Sequence, residues 1–337
     1  MNGALLEVSG LRTVFPTRSG ELRAVDDVSF SLTPGEVLGL VGESGSGKSV
    51  TGFSLMGLIE RPGHISAGSI RLQGRELVGL AERDWRAVRG RDVAMVFQDP
   101  MLTLNPVLRI DTQLVEAIRA HAEVGAARAR DLAVEALTAV GIPSAAERLL
   151  AYPHQFSGGM RQRVAIAIAL LHKPKLLIAD EPTTALDVTI QGQIVSQVQA
   201  LAAQHGTAVI WITHDLAVVS SFADRIAVMY AGRVVEQGST ADVLRAPVHP
   251  YTRGLLRSLP SQNAPGHPLA QIPGAPPKVI GARSGCAFAP RCDVARPMCL
   301  QEDPAERTLH AQVPNVGRAT RMVRCHVAAT LMPPGAE

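Results

Sequence analysis

The stretch Gly42-Glu43-Ser44-Gly45-Ser46-Gly47-Lys48-Ser49 carries the residue types needed to hold a nucleoside triphosphate. It fits G-x-x-x-x-G-K-[ST] without a mismatch, and it lies between an apolar run, Val37–Val41, and a segment (50–56) able to continue as a helix. Glycines in that context let backbone N–H groups close around phosphates at a helix N-terminus. Lys48 is expected to reach the β- and γ-phosphates, and the Ser49 hydroxyl to ligate Mg²⁺. Lysine usage sharpens the point: of 33 Lys and Arg residues, lysine occurs only at 48, 173, 175 and 278. A chain that otherwise writes arginine has lysine where a compact point charge is needed.

Two further stretches could meet the same ligand. The run Leu176-Leu177-Ile178-Ala179 ends in Asp180-Glu181. A buried strand delivers its last residues to the carboxyl edge of a sheet, where ligands bind in α/β folds. Asp180 is then expected to hold Mg²⁺, directly or through water, and Glu181 to polarise the attacking water. Alone this pattern is weak; downstream of a phosphate loop it is strong. In Phe156-Ser157-Gly158-Gly159-Met160, Ser157 reads as the N-cap of an apolar helix. A capped core helix explains Ser157 but not two glycines in the first turn, which weaken a helix unless something approaches the backbone closely. A γ-phosphate is such a partner.

The elements that must position these residues follow from periodicity. Residues 4–41 alternate short apolar stretches with turns, Pro34-Gly35 being one of them, and strands are expected at Ile70–Gly74 and Val93–Phe97. From 110 to 150 the pattern is helical and Ala-rich, with Ala117, Ile118, Leu132, Val134, Leu137 and Val140 expected inward. Helix and strand then alternate: a helix to about 171, a strand at 176–179, a helix at 190–203 and a strand at 208–213. That alternation predicts a parallel sheet covered by helices. Six prolines between 260 and 277 (260, 265, 268, 273, 276, 277) predict an extended, semi-rigid linker, beyond which lie all four cysteines. No internal repeat is seen.

Composition narrows the class. A 46% hydrophobic and 19% charged content describes a globular chain, and a net charge of +3 gives no support for nucleic-acid binding. No apolar run approaches the roughly 20 residues that span a bilayer, and no signal pattern opens the chain, so any membrane process it serves would need spanning helices from other subunits.

The phosphate loop, Gln98, Ser157-Gly158-Gly159, Asp180-Glu181, Ala185-Leu186-Asp187 and His214 occur in the order found in ATP-binding cassette (ABC) ATPases. Over roughly residues 4–260 the chain resembles that family. The resemblance implies a P-loop NTPase (RecA-like) α/β core with an antiparallel β subdomain and a helical insertion, here about 99–165. It implies that Phe15 stacks on adenine, with the insertion Pro16–Leu22 beside it, and that Gln98 is a switch glutamine touching Mg²⁺ and water. His214 resembles the switch histidine at the γ-phosphate, and Asp187 the residue bridging two cassettes. Phe156 and Met160 depart from the commonest signature spelling at positions that should not contact phosphate. One chain's phosphate loop faces the Ser-Gly-Gly of another in this family. A second ATPase subunit, identical or homologous, is therefore implied.

Residues 97–106 and His249-Pro250-Tyr251-Thr252-Arg253-Gly254-Leu255-Leu256 are similar to segments of dipeptide and oligopeptide importers. That similarity divides the chain into an ATPase domain, 1–259, and a linker with a small cysteine-containing C-terminal extension, 260–337. Cys286, Cys292, Cys299 and Cys325 are spaced C-x5-C-x6-C-x25-C, which favours thiolate ligation over disulfides in a cytosolic chain. Neither the zinc C-x2-4-C knuckle nor the ferredoxin spacing is present, so spacing leaves the metal open, and four unligated thiols remain the alternative. His326, beside Cys325, is read as a bystander, with a role as substitute ligand the alternative. The resemblance implies a [4Fe–4S] cluster on the four cysteines.

The implied protein is an ATP- and Mg²⁺-dependent subunit of a peptide importer. It would sit at the cytoplasmic face of the inner membrane with two permease subunits and an extracytoplasmic binding protein. Nickel, glutathione and opine importers share much of the pattern. A soluble ABC protein of DNA repair or translation is the alternative from another class; the absence of a fused second cassette or coiled-coil insertion argues against it, and no nucleic-acid partner is expected.

Overall fold

The computed structural model of the chain describes residues 3–184, 186–263, 266–313 and 317–331. Ala185 and Pro265, named above, lie outside them. The chain opens with β1 (Leu6–Thr17), β2 (Gly20–Leu32), β3 (Val37–Val41) and α1 (Lys48–Leu55), then β4 (His64–Leu72) and β5 (Arg75–Glu76). After α2 (Glu82–Val88) and β6 (Val93–Val96) come α3 (Ile110–Arg119), α4 (Ala126–Ala139), α5 (Ala145–Arg148) and α6 (Gly158–Leu170). Next are β7 (Leu176–Asp180), α7 (Val188–His205), β8 (Ala208–Thr213), α8 (Leu216–Ser220), β9 (Arg225–Tyr230) and β10 (Arg233–Ser239). The tail contains α9 (Thr240–Arg245), α10 (Pro250–Arg257), α11 (Pro297–Gln301), β11 (Arg307–Val313), β12 (Gly317–Val323) and α12 (Ala328–Leu331). These elements form two compact units.

The first unit takes the chain up to Leu32, Val37–Val78, and everything from Ile212 onward. Its antiparallel sheet has the order β2-β1-β4-β5, with Leu6 of β1 opposite Leu32 on one side and Leu72 on the other. Leu6 and Val8 point inward by alternation, register shifts after Val8 and after Thr13 bring Leu11 and Val14 inward as well, and all four are buried. A second group of strands runs β11-β12-β10-β9-β3; only the β3–β9 pairing among them is parallel. Just past the last of the linker prolines the chain lies on the open edge of β2: Leu22 bridges Ile280, the Arg23 N–H donates to the Val279 carbonyl at 3.0 Å, and the Gly281 N–H donates to the Glu21 carbonyl at 2.9 Å.

Asp26 is the polar anchor of this unit. Its carboxylate has no exposure and accepts from Arg12 of β1 at 2.9 Å, Arg233 of β10 at 3.0 Å and Arg283 of the tail at 3.1 Å. Burial pushes the Asp26 carboxyl up, but Arg233, Arg283 and Arg12 together outweigh it and hold the group below the usual carboxylate range.

The second unit comprises Thr33–Glu36 and Gly79–Trp211. Its strands run β8-β7-β6, with β6 and β7 parallel, Val93 opposite Leu176 and Val96 opposite Ala179. Every residue of β7 is buried, as a parallel strand covered on both faces requires. From Val164 onward α6 is apolar all round (Val164, Ala165, Ile166, Ala167 buried), the pattern of an interior helix. Arg163 fastens it: Nη1 donates to the Val140 carbonyl at 2.8 Å and to Gln197 of α7 at 3.0 Å, while Nη2 reaches Gln193 at 2.9 Å.

Two expectations need correction. The strand expected at 70–74 instead ends β4 at Leu72, where Gln73 and Gly74 take positive φ (48° and 79°) and turn the chain into β5. The helical stripe is offset as well: Leu114, Ile118, Ala129, Ala133, Leu137 and Val140 are buried, whereas Ala117, Leu132 and Val134 are only half-buried. The i, i+4 spacing selects one narrow row, and small alanines at 129 and 133 occupy it while larger neighbours flank it.

Replacing Asp26 by Asn strands three arginines around a neutral amide, and should destabilise the chain by about 3–5 kcal/mol. Because the folded pKa lies below the unfolded one, the wild-type contribution is complete above the unfolded pKa and is lost as the pH falls through the folded value. Urea denaturation of Asp26→Asn and wild type at neutral and acid pH checks both statements: the gap between them should narrow in acid.

Candidate functional site

The phosphate-loop stretch forms a tight turn between β3 and α1 in the first unit. The Ser46 N–H donates to the Glu43 carbonyl at 3.2 Å, and the Gly232 N–H donates to the Ser46 carbonyl at 2.8 Å. Two glycines are sterically required. A Cβ at Gly42 would stand closer than 3.0 Å to the Met229 carbonyl oxygen, and one at Gly47, where φ is 102°, would do the same to the Ala24 carbonyl oxygen. Lys48 is buried and curls over the loop, Nζ donating to the Gly42 carbonyl at 2.8 Å and the Glu43 carbonyl at 3.0 Å. Ser44 and Gly45 are exposed at the tip; Ser49 is half-buried in the first turn of α1. The N-cap Gly47 supplies no side-chain acceptor, so the first N–H groups of α1 carry no cap from it.

The same unit holds His214, exposed just after β8, where the following Asp215 N–H donates to the Thr213 hydroxyl at 3.0 Å. Phe15 lies near the end of β1 opposite Leu22, half-exposed, with its ring over Gly63; a Cβ there would run into it. Pro16–Leu22 makes the end of β1, the turn and the start of β2, with Pro16 opposite Glu21 and Thr17 opposite Gly20, so the insertion lengthens the hairpin that carries Phe15.

In the second unit, Asp180 is the buried last residue of β7 and Glu181 follows half-buried. Glu181 has φ 43°, the left-handed region that a non-glycine residue enters at a cost of about 1–3 kcal/mol. Its carboxylate accepts from the Thr184 hydroxyl at 2.9 Å and from Gln98 Nε2 at 3.4 Å, so the expected switch glutamine and general base meet. Ser157 caps α6, its hydroxyl accepting from the Met160 N–H at 3.3 Å. Of the glycines after it, Gly158 is not demanded by intrachain packing, since a Cβ there would meet only Leu186 Cδ2 at 3.8 Å, an ordinary contact, whereas one at Gly159 would stand a tight 3.0 Å from Ile190 Cγ2. Asp187 is exposed at the N-cap of α7 and makes no side-chain cap there.

The cysteines gather in the first unit. The Cys286 N–H donates to the Cys299 carbonyl at 2.8 Å; Cys299 and Cys325 are buried, and Cys286 and Cys292 half-buried. Each sulfur faces backbone N–H groups: Phe288 and Ala289 at Cys286, Val294 at Cys292, Arg296 at Cys299 (3.5 Å) and Val327 at Cys325. Burial is the main reason the Cys286 and Cys292 thiols are raised and that of Cys325 is pushed up to about 11, with the neighbouring cysteines adding to it. Among the described residues no group of three or more His, Cys, Asp or Glu side chains is arranged to hold a metal ion.

Sequence reasoning missed the residues that back the phosphate loop. The Glu43 N–H donates to the Tyr251 hydroxyl at 2.8 Å, and Arg291 grips the Glu43 carboxylate. Burial pushes the Tyr251 phenol well above its ordinary value. Tyr251 sat in a stretch singled out for another reason; Arg291 had no local signal among the other arginines.

A phosphate loop opening a helix, with a buried strand ending in paired acids, defines a P-loop NTPase. The sequence model of the ABC transporter family matches residues 25–184, and that of the oligopeptide/dipeptide transporter C-terminal region matches 235–299. The chain is 50% identical over 303 residues to an oligopeptide transport ATP-binding protein, OppD, of Escherichia coli, covering 90% of each chain. It is also 50% identical over 307 residues to a putative peptide import ATP-binding protein of Brucella melitensis, covering 88% of this chain and 91% of that protein. Among solved structures it resembles the dimeric ATP-binding cassette MJ0796 bound to ADP and Pi, with a TM-score of 0.63 at 25% identity over 70% of this chain and 98% of the other. A second likeness is cbiO1 from Clostridium perfringens, with a TM-score of 0.60 at 26% identity over 71% of this chain and 90% of that one. The chain belongs to the ABC transporter family of ATP-binding proteins.

The space at Gly158 gives a sharp test. Gly158→Ala should fold with a melting temperature no lower than wild type, since alanine is the better helix former and nothing in the chain collides with it. ATPase turnover of the assembled transporter should nevertheless fall at least about tenfold, because a methyl group would stand where the family resemblance expects a phosphate to approach.

Proposed function

We propose that this chain is the ATP-hydrolysing subunit of an importer for peptides, working through two membrane permease subunits. The observation that carries this reading is the 50% identity, over nine-tenths of both chains, to an oligopeptide transport ATP-binding protein. The match of 235–299 to the oligopeptide/dipeptide C-terminal region favours peptides over nickel, glutathione or opines. Residues 1–259 are read as the ATPase domain, with a helical subdomain at about 99–165, and 260–337 as the extension. The chain would act at the cytoplasmic face of the membrane, while an extracytoplasmic binding protein would deliver peptide to the permease subunits, so the chain itself need never touch peptide. Among the described residues no helix is long and apolar enough to cross a membrane, so partner subunits would form the path.

In the first unit, Phe15 is proposed to stack on adenine. The N–H groups of Gly42, Glu43, Ser44, Gly45, Ser46 and Gly47 would cradle the phosphates, with Lys48 on the β- and γ-oxygens and Ser49 offered to Mg²⁺. His214 would hold the γ-phosphate. In the second unit, Asp180 and Gln98 are the proposed Mg²⁺-side groups, and Glu181 is the general base that takes a proton from the attacking water. The strained backbone at Glu181 and its bond to Thr184 support that assignment, since both fix a carboxylate in one orientation. Ser157, Gly158, Gly159 and Asp187 would serve the nucleotide of a second cassette. The intrachain freedom around Gly158 supports a requirement that lies outside the chain.

An iron–sulfur cluster is proposed for the tail, and the backbone N–H groups that face each of the four sulfurs support it. A [4Fe–4S] cluster binds each cysteine to a different iron, and N–H groups directed at sulfur stabilise thiolates. Cys286, Cys292, Cys299 and Cys325 would hold it.

Glu181→Gln should retain ATP binding and cut turnover about 10²–10⁴-fold; ordinary turnover in the reconstituted transporter would remove Glu181 from its role. Separately, chain purified without oxygen should be brown and release iron on acid treatment. Colourless protein holding zinc would refute the cluster.

A further inference from the structure

The phosphate loop carries one acidic side chain, Glu43, and its partner comes from the cysteine-bearing tail. Arg291 Nη1 donates to Glu43 Oε2 at 2.7 Å and Nη2 to Oε1 at 2.9 Å, a two-pronged pair. The guanidinium is itself held fast: Nε donates to the Pro273 carbonyl at 2.7 Å, Nη1 reaches the Tyr230 hydroxyl at 3.3 Å, and the side chain is 5% exposed. Tyr230, Tyr251 and Phe288 pack around the pair with ring centroids 4.6–5.5 Å apart. Arg291 closes the short turn Ala289–Arg291 and directly precedes Cys292.

A carboxylate in a loop that must receive a polyanion is an electrostatic liability. The planar fork of arginine cancels that charge and fixes the carboxylate's rotamer at once, which a lysine ammonium cannot do. We propose that Arg291 is a positioning residue of the ATP site: by neutralising Glu43 it sets nucleotide affinity, and through it the four-cysteine tail governs the phosphate loop. The inference rests on the ATP-binding reading of residues 42–49 and requires no occupant at the cysteines. Its force lies in an asymmetry. Removing the arginine exposes a negative charge to the phosphates, whereas removing the carboxylate exposes none.

The test uses the full-length chain and a fluorescent ATP analogue, titrated at low and moderate ionic strength, with thermal melting as the folding check. Arg291→Gln is expected to weaken binding about tenfold, more at low salt, as one unscreened charge beside a polyanion should. In the assembled transporter the loss should appear in KM, with kcat changed less than about twofold. Once Glu43→Gln has removed the charge that Arg291 cancels, adding Arg291→Gln should cost less than about twofold, and the double Glu43→Gln/Arg291→Gln variant should bind at least about fivefold more tightly than Arg291→Gln alone. Arg291→Lys should fall between. Equal losses in both single variants without recovery in the double, or full affinity in Arg291→Gln, overturn the proposal. Should Arg291→Gln not fold, the double variant is compared with Glu43→Gln: matching affinity supports the inference and a further loss overturns it. Wild-type chain that binds no analogue at all would refute the phosphate-loop reading itself, a different failure.

Discussion

A buried carboxylate cannot stay charged alone, and the first unit is organised around meeting that demand at Asp26. Arg12 arrives from β1, Arg233 from β10 and Arg283 from the tail, so three stretches far apart in sequence are committed to one point. The backbone of the same neighbourhood supports the nucleotide loop: the Asp26 N–H donates to the Gly232 carbonyl at 2.8 Å, and the Gly232 N–H donates to the Ser46 carbonyl. The Ala24 carbonyl leaves no room for a side chain at Gly47. Charge pairing and loop shape are therefore one construction, and the tail is part of it rather than an appendage.

A second buried acid repeats the logic further along. Glu236 of β10 has no exposure and accepts the N–H groups of Val248 and His249 at 2.8 and 2.9 Å. Burial raises its carboxyl despite these bonds and Arg321 beside it. It fastens the turn leading into α10, and α10 carries Tyr251 to the N–H of Glu43. The path from β10 to the phosphate loop is thus made of short polar contacts, each satisfied by the next.

What could be read from the chain alone was whatever chemistry crowds into a few consecutive residues. The loop at 42–49, the cap and glycines at 157–159 and the acids closing β7 are local patterns whose meaning survives without coordinates. The strand at 37–41 and the helix beginning at 158 were legible for the same reason. The offset helical row was not, because Ala129 and Ala133 enter the core by being small, and composition ranks Leu132 and Val134 ahead of them. Arg291 was invisible: 248 positions separate it from Glu43, and nothing around it distinguishes one arginine from the rest. Nor could periodicity reveal that Val279–Gly281, just past the linker prolines, would settle on the edge of β2, since three residues are too short a stretch to show a period.

Residue 181 has a left-handed backbone, and that constrains how this ATPase could decay as well as how it works. Only Gly, Asn, Asp and a few unbranched side chains tolerate such torsions comfortably. A lineage released from selection for hydrolysis would therefore drift through a narrow set of replacements at this codon, with valine, isoleucine and threonine penalised by folding alone. Silent, non-hydrolysing paralogues should carry that imprint, a fossil of torsion outlasting the chemistry it once served.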